Sequence, residues 1–240
     1  MPELSAYFDT VDATWPAEEL IPCGPFTLRR SSGGGKRVSA ATANGPATEA
    51  EVTAAEERMQ ALGQTPLFSL RPGDEALDAM LEARGYRVVD RTNIYSCPVS
   101  LLSGEKVHHE QASLAVWEPL AIQLDFWQQG GIGPDRIAVM HRVQGPKTAL
   151  IGRHENSPGG TCFVAIHDGI AMLHGLEIIK SARRAGMGRA MTIQSAQWAE
   201  KQGATTFSLL CVEQNAAANG LYAKLGMEIV GHYHYRIKES

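Results

Sequence analysis

Two stretches of the chain, 54–96 and 195–237, repeat one order of apolar and polar blocks at an offset of about 140 residues, as a duplicated unit would. In the first, a helical stretch from Ala54 to Leu62 stops at Gly63, and Thr65 to Leu70 (TPLFSL) predicts a strand. In the second, Ala196 to Gln202 stops at Gly203, and Thr205 to Leu210 (TTFSLL) follows. A shorter helix comes next in each, Ala76 to Arg84 or Ala216 to Leu225. Gly85-Tyr86 or Gly226-Met227 then precedes strands rich in Val, Ile and Tyr. Glycine ends a helix by taking the left-handed backbone, and the apolar residue after it packs back on the last turn. Ala218, Leu221, Tyr222 and Leu225 keep the i, i+3, i+4, i+7 spacing of a buried helix stripe. Each half is expected to be α/β, with the seam between Cys97 and Gln111, where Pro98, Ser103-Gly104 and His108-His109 interrupt the pattern. Near the start, Phe26 to Arg30 and Arg37 to Ala43 predict a hairpin around Ser31-Ser32-Gly33-Gly34-Gly35-Lys36. That tip lacks the first glycine of a phosphate loop and has Arg37 where its hydroxyl should stand.

At 240 residues the chain has room for two modest cores, and 44% hydrophobic with 20% charged residues is the make-up of a globular protein. A net charge of −4 with no dense run of Lys or Arg argues against a nucleic-acid partner. No apolar run approaches the roughly 20 residues of a membrane helix, and a start containing Glu3, Asp9 and Asp12 is unlike a signal peptide, so a cytoplasmic location is expected. The four cysteines, Cys23, Cys97, Cys162 and Cys211, form no C-x-x-C pair and are expected as reduced core residues. His232-Tyr233-His234 would put two imidazoles on one strand face, but without a third ligand nearby in sequence it predicts no metal site.

Chemistry concentrates in 175–202. Leu176-Glu177-Ile178-Ile179 reads as a strand, Lys180 to Ala185 as a connection, and Gly186-Met187-Gly188-Arg189 as the opening of a helix running through Trp198. Such a turn leaves main-chain N–H groups unpaired at the positive end of the helix dipole, where a pyrophosphate binds. Glycine at 186 and 188 lets phosphate approach the main chain, and Arg183, Arg184 and Arg189 supply charge. A Rossmann-type site is excluded, because no G-x-G-x-x-G with an acidic residue about 20 positions on is present.

Arg183-x-x-Gly186-x-Gly188 resembles the acetyl-CoA-binding motif, Q/R-x-x-G-x-G/A, of the GCN5-related N-acetyltransferase (GNAT) family. A second signature of that family is matched downstream, where Asn215 follows a strand and begins a helix ending in Leu221-Tyr222-Ala223-Lys224-Leu225-Gly226, with Met227 in place of the usual aromatic residue. The resemblance covers 114–237, and the repeat extends it to the N-terminal half as a degenerate copy, as in tandem members. There the glycines 186 and 188 are matched only by Asn44-Gly45-Pro46, and Tyr222 by Leu81. The resemblance thus implies a degenerate GNAT-like domain over 1–103 and a catalytic one over 104–240. The fold class would be α/β (α+β), each unit a mixed, mostly antiparallel sheet flanked by helices.

For chemistry the resemblance implies transfer of an acetyl or similar acyl group from acetyl-CoA to an amine of a small molecule or peptide, by direct attack in a ternary complex. Arg183, Arg184, Ala185, Gly186, Met187, Gly188 and Arg189 would hold the cofactor's phosphates. Leu176 to Ile179 would splay from Phe207 to Val212, with a main-chain N–H near Ile178 or Ile179 polarising the thioester carbonyl. Asn215 would cap its helix, contact the pantetheine arm, or both. Tyr222 is the candidate general acid, with plain core packing as the competing role. Glu177 is the candidate base, since apolar strand neighbours raise a carboxyl pKa; His174 and His167 on neighbouring strands are its competitors. Trp117 to Gly133, with Phe126 and Trp127, is expected to cover the acceptor pocket. A catalytically silent acyl-CoA sensor is the other reading of the same motifs. Expected partners are acetyl-CoA and an amine acceptor, with a homodimer left open and with neither nucleic acid nor membrane.

Overall fold

A computed structural model describes residues 1–238. The chain opens with α1 (Leu4–Thr14), then β1 (Glu19–Cys23), β2 (Phe26–Arg30), β3 (Ala41–Ala43), α2 (Glu49–Ala61), β4 (Leu67–Leu70), α3 (Glu75–Ala83) and β5 (Arg87–Pro98). After α4 (Val99–Ser103) come β6 (Ser113–Val116), α5 (Ala121–Gln129), α6 (Pro134–Arg142), β7 (Lys147–His154), β8 (Ser157–His167) and β9 (Ile170–Ile178). The last elements are α7 (Met187–Lys201), β10 (Thr206–Val212), α8 (Ala216–Lys224) and β11 (Glu228–Ile237). Both copies of the repeat thus keep the order helix, strand, helix, strand. The glycines that end the four helices all take positive φ: 71° at Gly63, 83° at Gly85, 90° at Gly203 and 75° at Gly226.

The eleven strands form one sheet in the order β1-β2-β3-β4-β11-β5-β10-β9-β8-β7-β6. It is mostly antiparallel. Parallel pairing occurs between β3 and β4 and between β9 and β10, each joined by the helical crossover that parallel neighbours require. At the centre the two halves exchange strands: β5 pairs with β10 on one side and β11 on the other, and β11 pairs with β4. The last strand of each half therefore completes the sheet of the other.

Strand alternation separates the cores. Cys162, Val164, Leu173 and Leu209 point to the face covered by α7, where Met191, Ile193 and Ala196 are buried. Phe163, Ala165 and Ala149 point to the opposite face, where Trp127, Val139 and Trp15 pack. The first helix joins this second face, since α1 lies on β8 and β9. Under α2 and α3 a third cluster holds Phe26, Val52, Phe68 and Leu81. Leu81 is fully buried at the position matching Tyr222.

Three local expectations change. The seam 97–111 is partly ordered structure, because α4 packs against α7. The strand expected from Arg37 starts only at Ala41, since Lys36–Val38 forms a 3-10 turn whose Arg37 reaches across to His174. Cys97, Cys162 and Cys211 are buried, whereas Cys23 on the edge strand β1 is half-buried. In the His232-Tyr233-His234 segment, His234 bonds Asp78 at 3.0 Å and His232 is exposed. No described helix is long and apolar enough to cross a membrane.

Candidate active site

The centre of the site is a break between two neighbouring strands. β9 and β10 pair only from Ile170/Thr206 to Leu173/Leu209, although β9 continues to Ile178 and β10 to Val212. The cause is a bulge. The register with β8 passes from Phe163↔His174 to Thr161↔Glu177, which places one extra residue on β9, and Gly175 there has φ of +55°. Trp127 of α5 is fully buried and donates its indole N–H to the Gly175 carbonyl at 2.7 Å. Trp127, expected from sequence to help cover an acceptor pocket, is instead a core residue whose ring packs beneath the bulge, while Phe126 lines the cleft beside it. Past the bulge, the Ile179 N–H donates to the Gly159 carbonyl of the adjacent connection at 3.1 Å. By strand alternation the main chain of Ile178 faces the gap instead, so of the two candidates only Ile178 presents its N–H there.

The connection after β9 ends at an open helix start. Gly186, with φ of +82°, precedes α7 and supplies no side-chain cap, and the first turn contains no acidic residue. The first turn closes through Ala190 N–H to the Gly186 carbonyl, leaving the N–H groups of Met187, Gly188 and Arg189 without intrahelical partners. Met187 is buried and anchors the turn in the core. Gln111 holds the loop from outside by donating to the Ala185 carbonyl. Arg184 is exposed with φ of +63°. Arg183 turns back to donate to the Ile178 carbonyl at 2.9 Å, and Arg189 pairs with Glu105 at 2.6 Å. The guanidinium of Arg189 is thus committed to a carboxylate, and what it offers the loop is its main-chain N–H. The matching helix α2 is closed: Thr48 and Glu51 form a reciprocal capping box at its start, and Glu49 and Glu51 place negative charge in its first turn. An anion is repelled there and attracted at α7.

Beyond β10, Asn215 caps α8, its side chain accepting the Ala218 N–H at 3.1 Å. Sequence reading singled out Asn215, but Asn219 one turn on does more structural work. Its amide donates to the carbonyls of Val212, Glu213 and Asn215, and its oxygen accepts the Tyr95 hydroxyl at 2.9 Å. Tyr95 comes from β5, so the N-terminal half braces this loop. Its ring also packs against Tyr222 at 5.6 Å between centroids. Tyr222 is buried beside Cys211 of β10 and Cys162 of β8. Burial first, then those thiols and Tyr95, raise its pKa above that of an ordinary phenol.

Glu177 stands on the other face of the sheet, opposite Thr161, with Gly130 of the α5 end so close that a Cβ there would collide with the carboxyl group. Among the described residues its carboxylate makes no hydrogen bond, and burial raises its pKa against the opposing pull of Arg183 and Arg136. It lines a cleft of about 670 Å³ with Phe126, Ile178 and Ile179. The competing histidines are elsewhere. His167 is paired with Ile170 at the far end of β9. His174 is fully engaged: Arg37 donates to Nδ1 at 3.1 Å, and Nε2, which must then carry the proton, donates to Thr14 at 2.9 Å.

His174 carries a stability prediction. Burial, and then the Arg37 charge, hold its pKa well below the ordinary value, whereas the unfolded chain protonates it near ~6.5. Below that pH the unfolded state binds one proton more than the native state, so stability present above ~6.5 is lost on acidification at up to ~1.4 kcal/mol per pH unit. Denaturant melts from about pH 7.5 to about 5 are expected to show this slope, and His174→Gln to flatten it.

Fold and site together define an α/β protein whose sheet opens at a split parallel pair, beside an uncapped glycine helix start. Comparison with known proteins gives the same answer: residues 109–227 match the model of the acetyltransferase (GNAT) family. The uncharacterized N-acetyltransferase YobR of Bacillus subtilis (strain 168) is 26% identical over 94% of this chain and 95% of its own. Among solved structures, a GCN5-related N-acetyltransferase from Kribbella flavida superposes with a TM-score of 0.76 at 19% identity, covering 100% of this chain and 97% of that one. A tandem GNAT protein from the clavulanic acid biosynthesis pathway gives 0.62 at 12% identity, covering 83% and 75%. The chain belongs to the acetyltransferase (GNAT) family.

Proposed function

We propose that this protein is an N-acetyltransferase that moves the acetyl group of acetyl-CoA to an amine by direct attack within a ternary complex. The observation that carries this reading is the split between β9 and β10, with the unpaired N–H groups of Met187, Gly188 and Arg189 at its mouth. These features fit the donor: main-chain donors and glycines meet its phosphates, with Arg183 and Arg184 adding charge, and the gap strand meets its arm. Asn215 and the loop it caps would flank that arm. When bound, acetyl-CoA supplies an acyl group already activated as a thioester.

The protein's own groups then have separate tasks. Ile178 N–H faces the gap and serves as hydrogen-bond donor to the carbonyl oxygen under attack. Glu177, on the α5 face, takes a proton from the acceptor ammonium so that the nitrogen lone pair is free. Tyr222, on the α8 face, gives its proton to the departing sulfur as the C–N bond forms and the C–S bond breaks. Starting from an ammonium, one proton is released to solvent for each acyl group moved. Acid and base on opposite faces of one sheet, joined through the split, suit two substrates entering from opposite sides.

Glu177 gives this reading a pH signature. The acid limb of kcat/KM is expected above the ordinary carboxylate range, because the base must be ionised and burial raises its pKa. Glu177→Gln is expected to lower kcat/KM by about 10²-fold and to remove that limb. A limb unchanged in the variant would assign the base to another group. Thiol release from acetyl-CoA with an amine panel tests the reading as a whole, and its absence with every amine tried counts against it.

A further inference from the structure

A second cavity, of about 270 Å³, lies on the same face of the sheet as Glu177, beyond the split. Its floor is the end of β10 that has parted from β9, Leu210 and Val212, with Tyr233 and Tyr235 of β11. Its walls come from three separated parts of the chain: the glycine loop Gly34 to Arg37, Asp90 and Thr92 of β5, and Arg136 of α6. The loop and α6 are fitted to each other, since a Cβ at Gly35 would lie 3.4 Å from the Arg136 guanidinium. Asp90 sits at a bulge of β5 with φ of +48° and pairs with Lys36 at 2.9 Å.

The charges lining this cavity do not balance. Lys36, Arg37 and Arg136 line it with one carboxylate, Asp90, which Lys36 already holds; a further anion near Arg136 is Glu177, whose pKa its charge lowers. Elsewhere the fold pairs its inward-facing arginines closely, Arg29 with Asp12 at 2.8 Å and Arg236 with Asp78 at 2.6 Å. Among the described residues Arg37, half-buried, donates only to neutral His174 and lies over Trp15 at 4.8 Å, while Arg136, exposed at the rim, donates to the Gly131 carbonyl at 3.4 Å. A guanidinium held half-buried without an anion is costly unless a ligand supplies one.

We propose that this cavity is the acceptor site and takes a small amine bearing an anionic group, which Arg37 and Arg136 hold while the amine is directed to Glu177. This rests on the N-acetyltransferase reading and narrows it. A volume below the roughly 300–1,000 Å³ of drug-sized sites admits a single small molecule and not a folded protein segment. The inference also assigns a task to the N-terminal half: with α2, the counterpart of α7, closed by its capping box, it supplies Arg37 and the β5 wall to the other half's chemistry.

The test measures thiol release from acetyl-CoA with matched acceptors, a small α-amino acid, its neutral amide and an aminoalkyl phosphate, for wild type and Arg136→Gln. Thermal shifts of the same amines in the presence of CoA give binding apart from turnover. An anionic acceptor is expected to exceed the amide by about 10- to 100-fold in kcat/KM, the scale of a charge-assisted contact. Arg136→Gln should cut that preference about tenfold through KM; because the preference is a ratio within one enzyme, any effect of the lost charge on Glu177 falls on acid and amide alike and cancels. Preference for carboxylate or for phosphate identifies the anion. Equal use of acid and amide, or an equal loss for both in the variant, overturns the proposal and leaves the transferase reading standing. Thiol release with none of the amines, while CoA still stabilises the protein, sinks both.

Discussion

Gly188→Glu is expected to abolish the thermal stabilisation by acetyl-CoA while the melting temperature of the free protein stays within about 4 °C of wild type. Gly188 is the second residue of α7, where a carboxylate suits the positive end of the helix dipole and any residue but proline is a better helix former than glycine. The one tight contact of a new Cβ is the Leu221 methyl at 3.1 Å, the tip of a side chain able to move. For a bound phosphate the same carboxylate is destructive, since it fills the space over the Met187, Gly188 and Arg189 N–H groups and repels the ligand. Losing two charge-assisted hydrogen bonds at about 1.5–3 kcal/mol each corresponds to more than a hundredfold in Kd. Gly188→Ala, which adds bulk without charge, should lose less. An undiminished shift in the Glu variant would place the phosphates elsewhere.

Tyr222→Phe is expected to lower kcat by about 10²-fold or more, with the KM for acetyl-CoA and the unfolding midpoint little changed. The ring keeps its packing against Tyr95 and Leu225, so only the hydroxyl is removed. A phenol with a raised pKa is a weak acid in water, but in the proposed complex the sulfur it serves would lie in the same buried surroundings. Burial alone pushes the neighbouring Cys211 thiol up to about 11, so a thiolate released there has a strong demand for a proton. Burial that raises the pKa of the phenol raises that of a thiol beside it in the same direction. A variant with unchanged kcat and lowered stability would make Tyr222 a packing residue, the role its helical spacing also allows.

Much of the site was legible in sequence where the chemistry depends on neighbours in the chain. The glycines at 186 and 188, the absence of a capping side chain before α7, and Asn215 as the cap of α8 follow from helix-end rules that operate within four residues. So do the four glycines that stop helices in both copies. The capping box at Thr48 and Glu51 carries the S/T-x-x-E signature, and that local signal marks why the first copy's helix start is shut to anions. Asn219 and Tyr95 had no such signal. Their bond joins residues 124 positions apart, and each residue alone reads as a helix or strand position.

The sequence by itself determined the order of elements, the ends of the helices and the main-chain cradle at α7, because these follow from backbone geometry and nearest neighbours. Tertiary structure alone decided which strands lie side by side. Alternation tells a strand which face is buried but not which partner it meets, so the insertion of β5 between β10 and β11 left no trace in either segment. It also decided which charges are spent. Arg189 is claimed by Glu105, Arg183 is oriented by the Ile178 carbonyl but keeps its charge, and Arg37 crosses from the first half to the bulge and, among the described residues, pairs with no carboxylate. A long flexible cation goes to whatever partner the fold brings within reach, and that partner is set by packing across the sheet.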